Sequence, residues 1–321
     1  MIPFSTLVRP VLLAAARSSR IERTVTRVPV TKKVVDRFVA GDTEDDAVRA
    51  AAAILSSGRD ITVDFLGEDT GEPAQATATV EHYLTLLSAL AQLPLPRTGV
   101  STRSVEVSVK LTALGLCLPE DGPRIALDNA RRICSAATEV GARVTIDAED
   151  HTTAESRLDI VRALRENFPT VGTVLQAYLK RTEQDCHDLA GPGSRIRLCK
   201  GAYDEPASVA YREAQSVDES YLVCLRILMS GRGYPMVATH DPVMISAAQR
   251  LAVGENRSSN DFEFQMLYGI RDAEQTRLVE EGHRVRVYVP YGTEWYGYFM
   301  RRLAERPANL AFFSRSLISN S

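Results

Sequence analysis

The stretch ITVDFLGEDTGEP, residues 61–73, decides the fold. Its first eight residues are rich in β-branched and aromatic side chains and read as a strand. A helix over 73–93 follows, bounded by Pro73 and Pro94. An open dinucleotide-binding sheet would carry G-x-G-x-x-G between two such elements, and this turn does not. Further along, VEVSVKLTAL (105–114), RVTIDAED (143–150), GTVLQAYLK (172–180) and RIRLCKGAY (195–203) read as strands. Their helices fall over 123–140, 153–167, 183–190 and about 206–230. PMVATHD (235–241), DFEFQMLYG (261–269) and RVRVYVPYG (284–292) complete the set, with helices over 242–253 and 272–282 and a last one carrying Arg301. Eight strand–helix units predict an α/β chain built as a (β/α)8 TIM-like barrel over 58–321.

Residues 1–57 read as an N-terminal helical extension, with Thr43 and Asp46 placed to form a capping box for a helix running to about Ser57. The apolar patch Val11–Ala16 lies between Arg9 and Arg17, too short and wrongly flanked for a secretory signal, and reads as a short amphipathic helix. The chain of 321 residues is 45% hydrophobic and 25% charged, with a net charge of −3. That balance gives no basic field for nucleic acid. No apolar run approaches the ~20 residues that span a bilayer. Five cysteines without a CxxC pair indicate neither a disulfide framework nor a zinc site, and a reducing cytoplasm fits them.

Barrel active sites sit at the C-terminal ends of the strands, so those positions carry the chemistry. They hold Asp64 and Glu68, Lys110, Asp147, Gln176 and Tyr178, Arg197, Lys200-Gly201-Ala202-Tyr203, Thr239-His240-Asp241, Gln265 and Tyr288. Polar groups within β-patterned runs are costly unless paired or functional, so a converging polar site is expected. Each has a plainer reading too. Lys110 suits the polar face of an alternating strand, Asp147 a turn cap, and one of Arg195 and Arg197 an ordinary ion pair. Glu149 and Asp150 look like turn residues. His240 has no HxH or HxxxH companion and fits a neutral donor better than a metal ligand. In KGAY, Gly201 permits close backbone approach to a ligand and Lys200 points to an anionic one.

The C-terminal run VYVPYGTEWYGYFMRRLAERPAN, residues 287–309, places Tyr298, Arg301, Arg302 and Glu305 at i, i+3, i+4 and i+7 of a helix. Paired guanidinium groups beside aromatic rings suit a small carboxylate; the plain alternative is a solvated basic face.

Taken with SVKLTAL, IDAED, LQAYLKR, ATHD and FEFQMLYG, this run resembles the proline dehydrogenase family over about Asp64 to Asn309. It is similar to the monofunctional bacterial form, since no aldehyde dehydrogenase domain follows Ser321, and a separate pyrroline-5-carboxylate dehydrogenase would take the product. The resemblance implies a distorted (β/α)8 barrel holding FAD. L-proline would be oxidised to Δ1-pyrroline-5-carboxylate, with hydride passing from C5 to flavin N5 and electrons onward to a quinone. It implies that Arg301 and Arg302 clamp the proline carboxylate near Lys110, with Tyr288, Tyr298 and Leu267 around the ring and Glu305 orienting the arginines. Asp147 and Arg197 would lie at the reacting centre. Ala148, Gln176, Arg197, Lys200, Gly201, Ala202, Thr239 and His240 would contact the cofactor, and no metal is implied. Asp204 and Asp241 depart from the bifunctional relatives' pattern. A cytoplasmic protein peripheral on the inner face of the plasma membrane would suit the quinone. Two other classes stay open on the residues alone: a Schiff-base lyase or aldolase using Lys110 or Lys200, and a flavin- or proline-binding sensor that partners DNA.

Overall fold

The computed structural model describes residues 35–68, 70–93 and 104–305, the Glu305 side chain excepted. Helix α1 (Glu44–Ser56) leads into β1 (Asp60–Phe65) and α2 (Pro73–Ala91). Next come β2 (Val105–Val109), α3 (Gly122–Glu139), β3 (Arg143–Ile146), α4 (Ala154–Arg165), β4 (Gly172–Gln176) and α5 (Thr182–Leu189). The second half runs β5 (Arg195–Cys199), α6 (Ala214–Ser230), β6 (Tyr234–Ala238), α7 (Pro242–Gly254), β7 (Glu263–Leu267), α8 (Asp272–Glu280), β8 (Val285–Tyr291) and α9 (Trp295–Glu305). The eight strands are parallel and close in chain order, with Val63 of β1 in register with Val289 of β8. This is the expected (β/α)8 barrel.

Strand alternation divides the core. Outward-facing Ile61, Val63, Val107 and Val289 pack against Leu86, Leu87 and Ile133 of the helical layer. Helix α1 joins the same core through Ala47, Ala51, Ile54 and Leu55. Its start is fixed by the capping box anticipated at Thr43 and Asp46. The apolar segment 11–16 lies outside the described residues.

The barrel lumen is charged where such lumens usually hold branched aliphatics. Glu106 accepts from Arg197 Nη2 (3.1 Å) and pairs with Arg195 Nη1 (2.8 Å), while Glu263 pairs with Arg286 Nε (2.7 Å). Against the cost of burial, Arg195, Arg286 and Arg197 hold the Glu106 carboxyl far below the usual range. Arg286 similarly holds Glu263 down to about 2. Buried charges persist only when paired in this way.

The strands are shorter than the polar-apolar alternation predicts, because the polar residues past each strand end belong to the loops that build the mouth. One boundary is misplaced. The helix expected over about 206–230 is present to Ser230 but begins at Ala214. Pro206 lacks an N–H, and the chain beyond it turns so that Ala210 makes an antiparallel bridge with Leu179.

Candidate active site

Asp147 follows β3, held there by its N–H donating to Val109 O (2.8 Å). Its carboxylate accepts from Arg197 Nη1 (2.6 Å) and from the Tyr288 hydroxyl (2.7 Å). Arg197 also donates to Gln265 Oε1 (2.5 Å) and Ser108 Oγ (2.9 Å), and its guanidinium carbon lies 5.3 Å from the centre of the Tyr288 ring. The two residues expected at the reacting centre, Asp147 and Arg197, are thereby bonded into one unit with Tyr288, expected beside the substrate ring. The plainer reading of Asp147 as a turn cap gives way to it.

Lys110 lies beside this unit but pairs with Asp64, Nζ to Oδ2 at 2.6 Å, and the Asp64 side chain is wholly buried. Burial alone would discharge the ammonium; the Asp64 charge, then Glu68 and Asp147, hold its pKa above the ordinary lysine value. Burial pushes Asp64 itself up to about 6. Glu149, read from sequence as a turn residue, is buried and accepts from Thr112 N (3.1 Å) and the Thr112 hydroxyl. Burial pushes its carboxyl up to about 7 against those two donors, and the Glu68 charge adds to the rise. Asp150 does cap the turn, accepting from Thr152 N (3.0 Å).

The arginine pair of α9 is drawn inward rather than solvated. Arg301 grips Glu68 with both terminal nitrogens, Nη2 to Oε1 at 2.5 Å and Nη1 to Oε2 at 3.3 Å, and lies 5.2 Å from the Tyr203 ring centre. Arg302 sits 4.9 Å from the ring centre of Tyr298, and both are buried. Leu267 packs with Tyr288 against the core patch that contains Tyr298. The Glu305 side chain lies outside the described residues.

The remaining strand ends carry the residues expected to meet a cofactor. The Leu267 N–H donates to His240 Nε2 (2.9 Å), which puts the neutral ring's proton on Nδ1 and makes that nitrogen a donor. Thr239 Oγ1 accepts from Asp241 N (3.1 Å), and Gln176 Nε2 donates to Glu149 O (3.1 Å). Ala148 and Ala202 are half-buried. Two sequence readings gain partners within the protein. Lys200 pairs with Asp218 (2.5 Å) and Asp241 (2.8 Å). Gly201, at φ +111°, faces the Tyr178 ring, which would lie 2.3 Å from an added Cβ. The protein's own aromatic ring thus demands this glycine, whatever a ligand adds.

Sequence reasoning passed over the partners. Asp64 and Glu68 were visible as strand-end carboxylates in DFLGE, and Tyr203 stood in KGAY, but their pairing with Lys110 and Arg301 depends on barrel closure. Among the described residues no group of three or more His, Cys, Asp or Glu side chains is disposed to hold a metal, and no helix is long and apolar enough to cross a membrane.

A closed parallel barrel whose mouth gathers an arginine pair, a lysine, a buried aspartate–arginine–tyrosine unit and hydrogen-bond donors defines an α/β-barrel enzyme for a small carboxylate. The family model described as proline dehydrogenase matches residues 47–315. The chain is 40% identical over 282 residues to proline dehydrogenase 1 of Bacillus subtilis (strain 168), covering 88% of this chain and 90% of that protein. It is 39% identical over 287 residues to proline dehydrogenase of Deinococcus radiodurans, covering 89% and 90%. Proline utilization A from Bdellovibrio bacteriovorus, in a crystal structure inactivated by N-propargylglycine, superposes with a TM-score of 0.79 at 24% identity. That match covers 94% of this chain and 37% of that one, and supports the fold. The chain belongs to the proline dehydrogenase family: it is an oxidoreductase of proline catabolism.

Proposed function

We propose that the chain binds FAD across the barrel mouth and oxidises L-proline to Δ1-pyrroline-5-carboxylate, with Arg301 and Arg302 holding the substrate carboxylate. The observation that carries this reading is the fork of Arg301 on the Glu68 carboxylate. It is the bidentate geometry that suits a proline carboxylate, already preorganised and half-buried. Tyr203, Tyr288, Tyr298 and Leu267 would bound the ring.

The donor set fits a flavin. Arg197, the Nδ1–H of His240, Gln176 and Thr239 would contact its polar edge, and Ala148 and the backbone of Lys200, Gly201 and Ala202 would line its seat. When bound, FAD supplies the two-electron acceptor for hydride from proline C5, which no side chain can provide. The protein must also bring the proline ammonium to its neutral form, because the nitrogen lone pair drives the oxidation. Lys110, kept cationic by Asp64, joins Arg301 and Arg302 in disfavouring the protonated amine. The same pairing counts against a Schiff-base enzyme, since neither Lys110 nor Lys200 is a neutral amine in an apolar pocket. Arg197 and Tyr288 hold Asp147 beside the reacting carbon, where its charge balances the developing cation. Glu305 would orient the arginine pair.

A quinone is the proposed electron acceptor, reached from the cytoplasm by peripheral contact with the plasma membrane, with a separate dehydrogenase consuming the product. The proposed organisation is an extension over 1–57 and a catalytic barrel over 58–321. The test is incubation with L-proline and a soluble quinone, trapping the cyclic imine with o-aminobenzaldehyde. A proline-dependent yellow adduct is expected. Flavin-free protein, or quinone consumption without adduct, would overturn the reading.

A further inference from the structure

We propose that Glu205 is a positioning residue that fixes the β5–α6 connection, so that one loop serves both the flavin seat and the carboxylate clamp. This rests on the FAD reading above. Between Cys199 and Ala214 the chain has no helix, and only the Ala210–Leu179 bridge interrupts it. Irregular connections of that length need side-chain anchors to hold one shape.

Glu205 is the anchor. It is 4% exposed, and its carboxylate accepts from His151 N (2.9 Å), the Tyr178 hydroxyl (3.2 Å) and the ring Nδ1 of His151. His151 opens the turn after β3 and Tyr178 follows β4, so one carboxylate ties three successive strand-end loops together. Tyr178 is itself fixed by Tyr178 N donating to Lys200 O (2.9 Å) and Tyr211 N donating to Tyr178 O (2.8 Å). Its ring then fills the space a side chain at Gly201 would need. Arg212 secures the far end of the loop, donating to Asp204 Oδ1 (2.9 Å) and to Glu205 O.

The consequence reaches both ligands. Gly201 and Ala202, at the proposed flavin seat, and Tyr203, packed on Arg301, lie two to four residues before the anchor. Removing the carboxylate would leave the buried Tyr178 hydroxyl and His151 N–H without their acceptor, and the loop would move to find water. Flavin and proline binding would therefore weaken together.

The experiment measures FAD affinity by fluorescence titration of the deflavinated protein, and proline KM and kcat at saturating FAD, for three variants. Glu205→Ala should weaken FAD and raise proline KM about tenfold each, with a much smaller change in kcat. Glu205→Gln should restore most of both, because its amide oxygen still accepts from His151 N and Tyr178. Tyr178→Phe keeps the packing on Gly201 but loses one bond, and should shift both constants the same way by about threefold. Wild-type FAD affinity and proline KM in Glu205→Ala would overturn the proposal. If that variant does not fold, unchanged constants in Tyr178→Phe would overturn it. A wild-type protein that binds no FAD would instead remove the flavin reading on which it rests.

Discussion

At the scale of single residues, the site is a set of charges whose partners decide what each can do. Arg301 takes a carboxylate through two nitrogens, which lysine cannot copy. Arg301→Lys should raise proline KM by about 10- to 100-fold and leave the content of the proposed flavin unchanged, as KM measurements and the flavin-to-protein absorbance ratio would show. Lys110 tests the electrostatic role. Lys110→Met removes a cation near the bound amine, so the apparent pKa for flavin reduction should rise by about one unit in stopped-flow measurements across pH. Glu149 makes a stability prediction. Its folded pKa of about 7 exceeds its ordinary value of 4.5, so the folded state holds the proton more tightly. The stability this gives is complete below the unfolded value and lost as pH rises through the folded one. Glu149→Gln should therefore stabilise the protein by about 3 kcal/mol at pH 8.5 and by little near pH 4.5, read from urea midpoints at the two pH values.

At the scale of elements, the units were legible in the sequence and several ends were not. The count of eight, the Thr43–Asp46 cap and the strand order follow from local periodicity and turn chemistry, which act within a few residues. The start of α6 was misread because VAYREAQSV is helix-compatible, whereas Leu179, far off in sequence, pairs with Ala210 and keeps that segment irregular. The need for Gly201 was attributed to a ligand, because a sequence does not show that the Tyr178 ring will lie over it. Arg257 was not singled out at all. It donates to Leu228 O, Met229 O, Gly231 O, Gly233 O and Asp261 O, tying off the C-terminal end of α6 and the approach to β7. Arg257→Ala should cost about 2–4 kcal/mol in chemical denaturation and leave proline KM unchanged, because these bonds lie at the opposite end of β6 and β7 from the mouth.

For the whole molecule, the closed barrel converts scattered strand-end residues into one site and a charged lumen into its floor. Glu106 receives Arg197 from below while Asp147 and Tyr288 hold it from above, so the proposed reacting centre is continuous with the barrel's internal ion pairs. The candidate residues were readable because strand ends are countable. Their pairing was not, since Asp64 with Lys110 and Glu68 with Arg301 are contacts across 46 and 233 residues of chain. In the proposed function this mouth holds a flavin and presents L-proline to it. Anaerobic addition of L-proline while recording the oxidised flavin absorbance tests this directly. Bleaching by L-proline, and none by D-proline at the same concentration, is the predicted result. A flavin band unmoved by L-proline, or a protein with no flavin band after incubation with FAD, would contradict it.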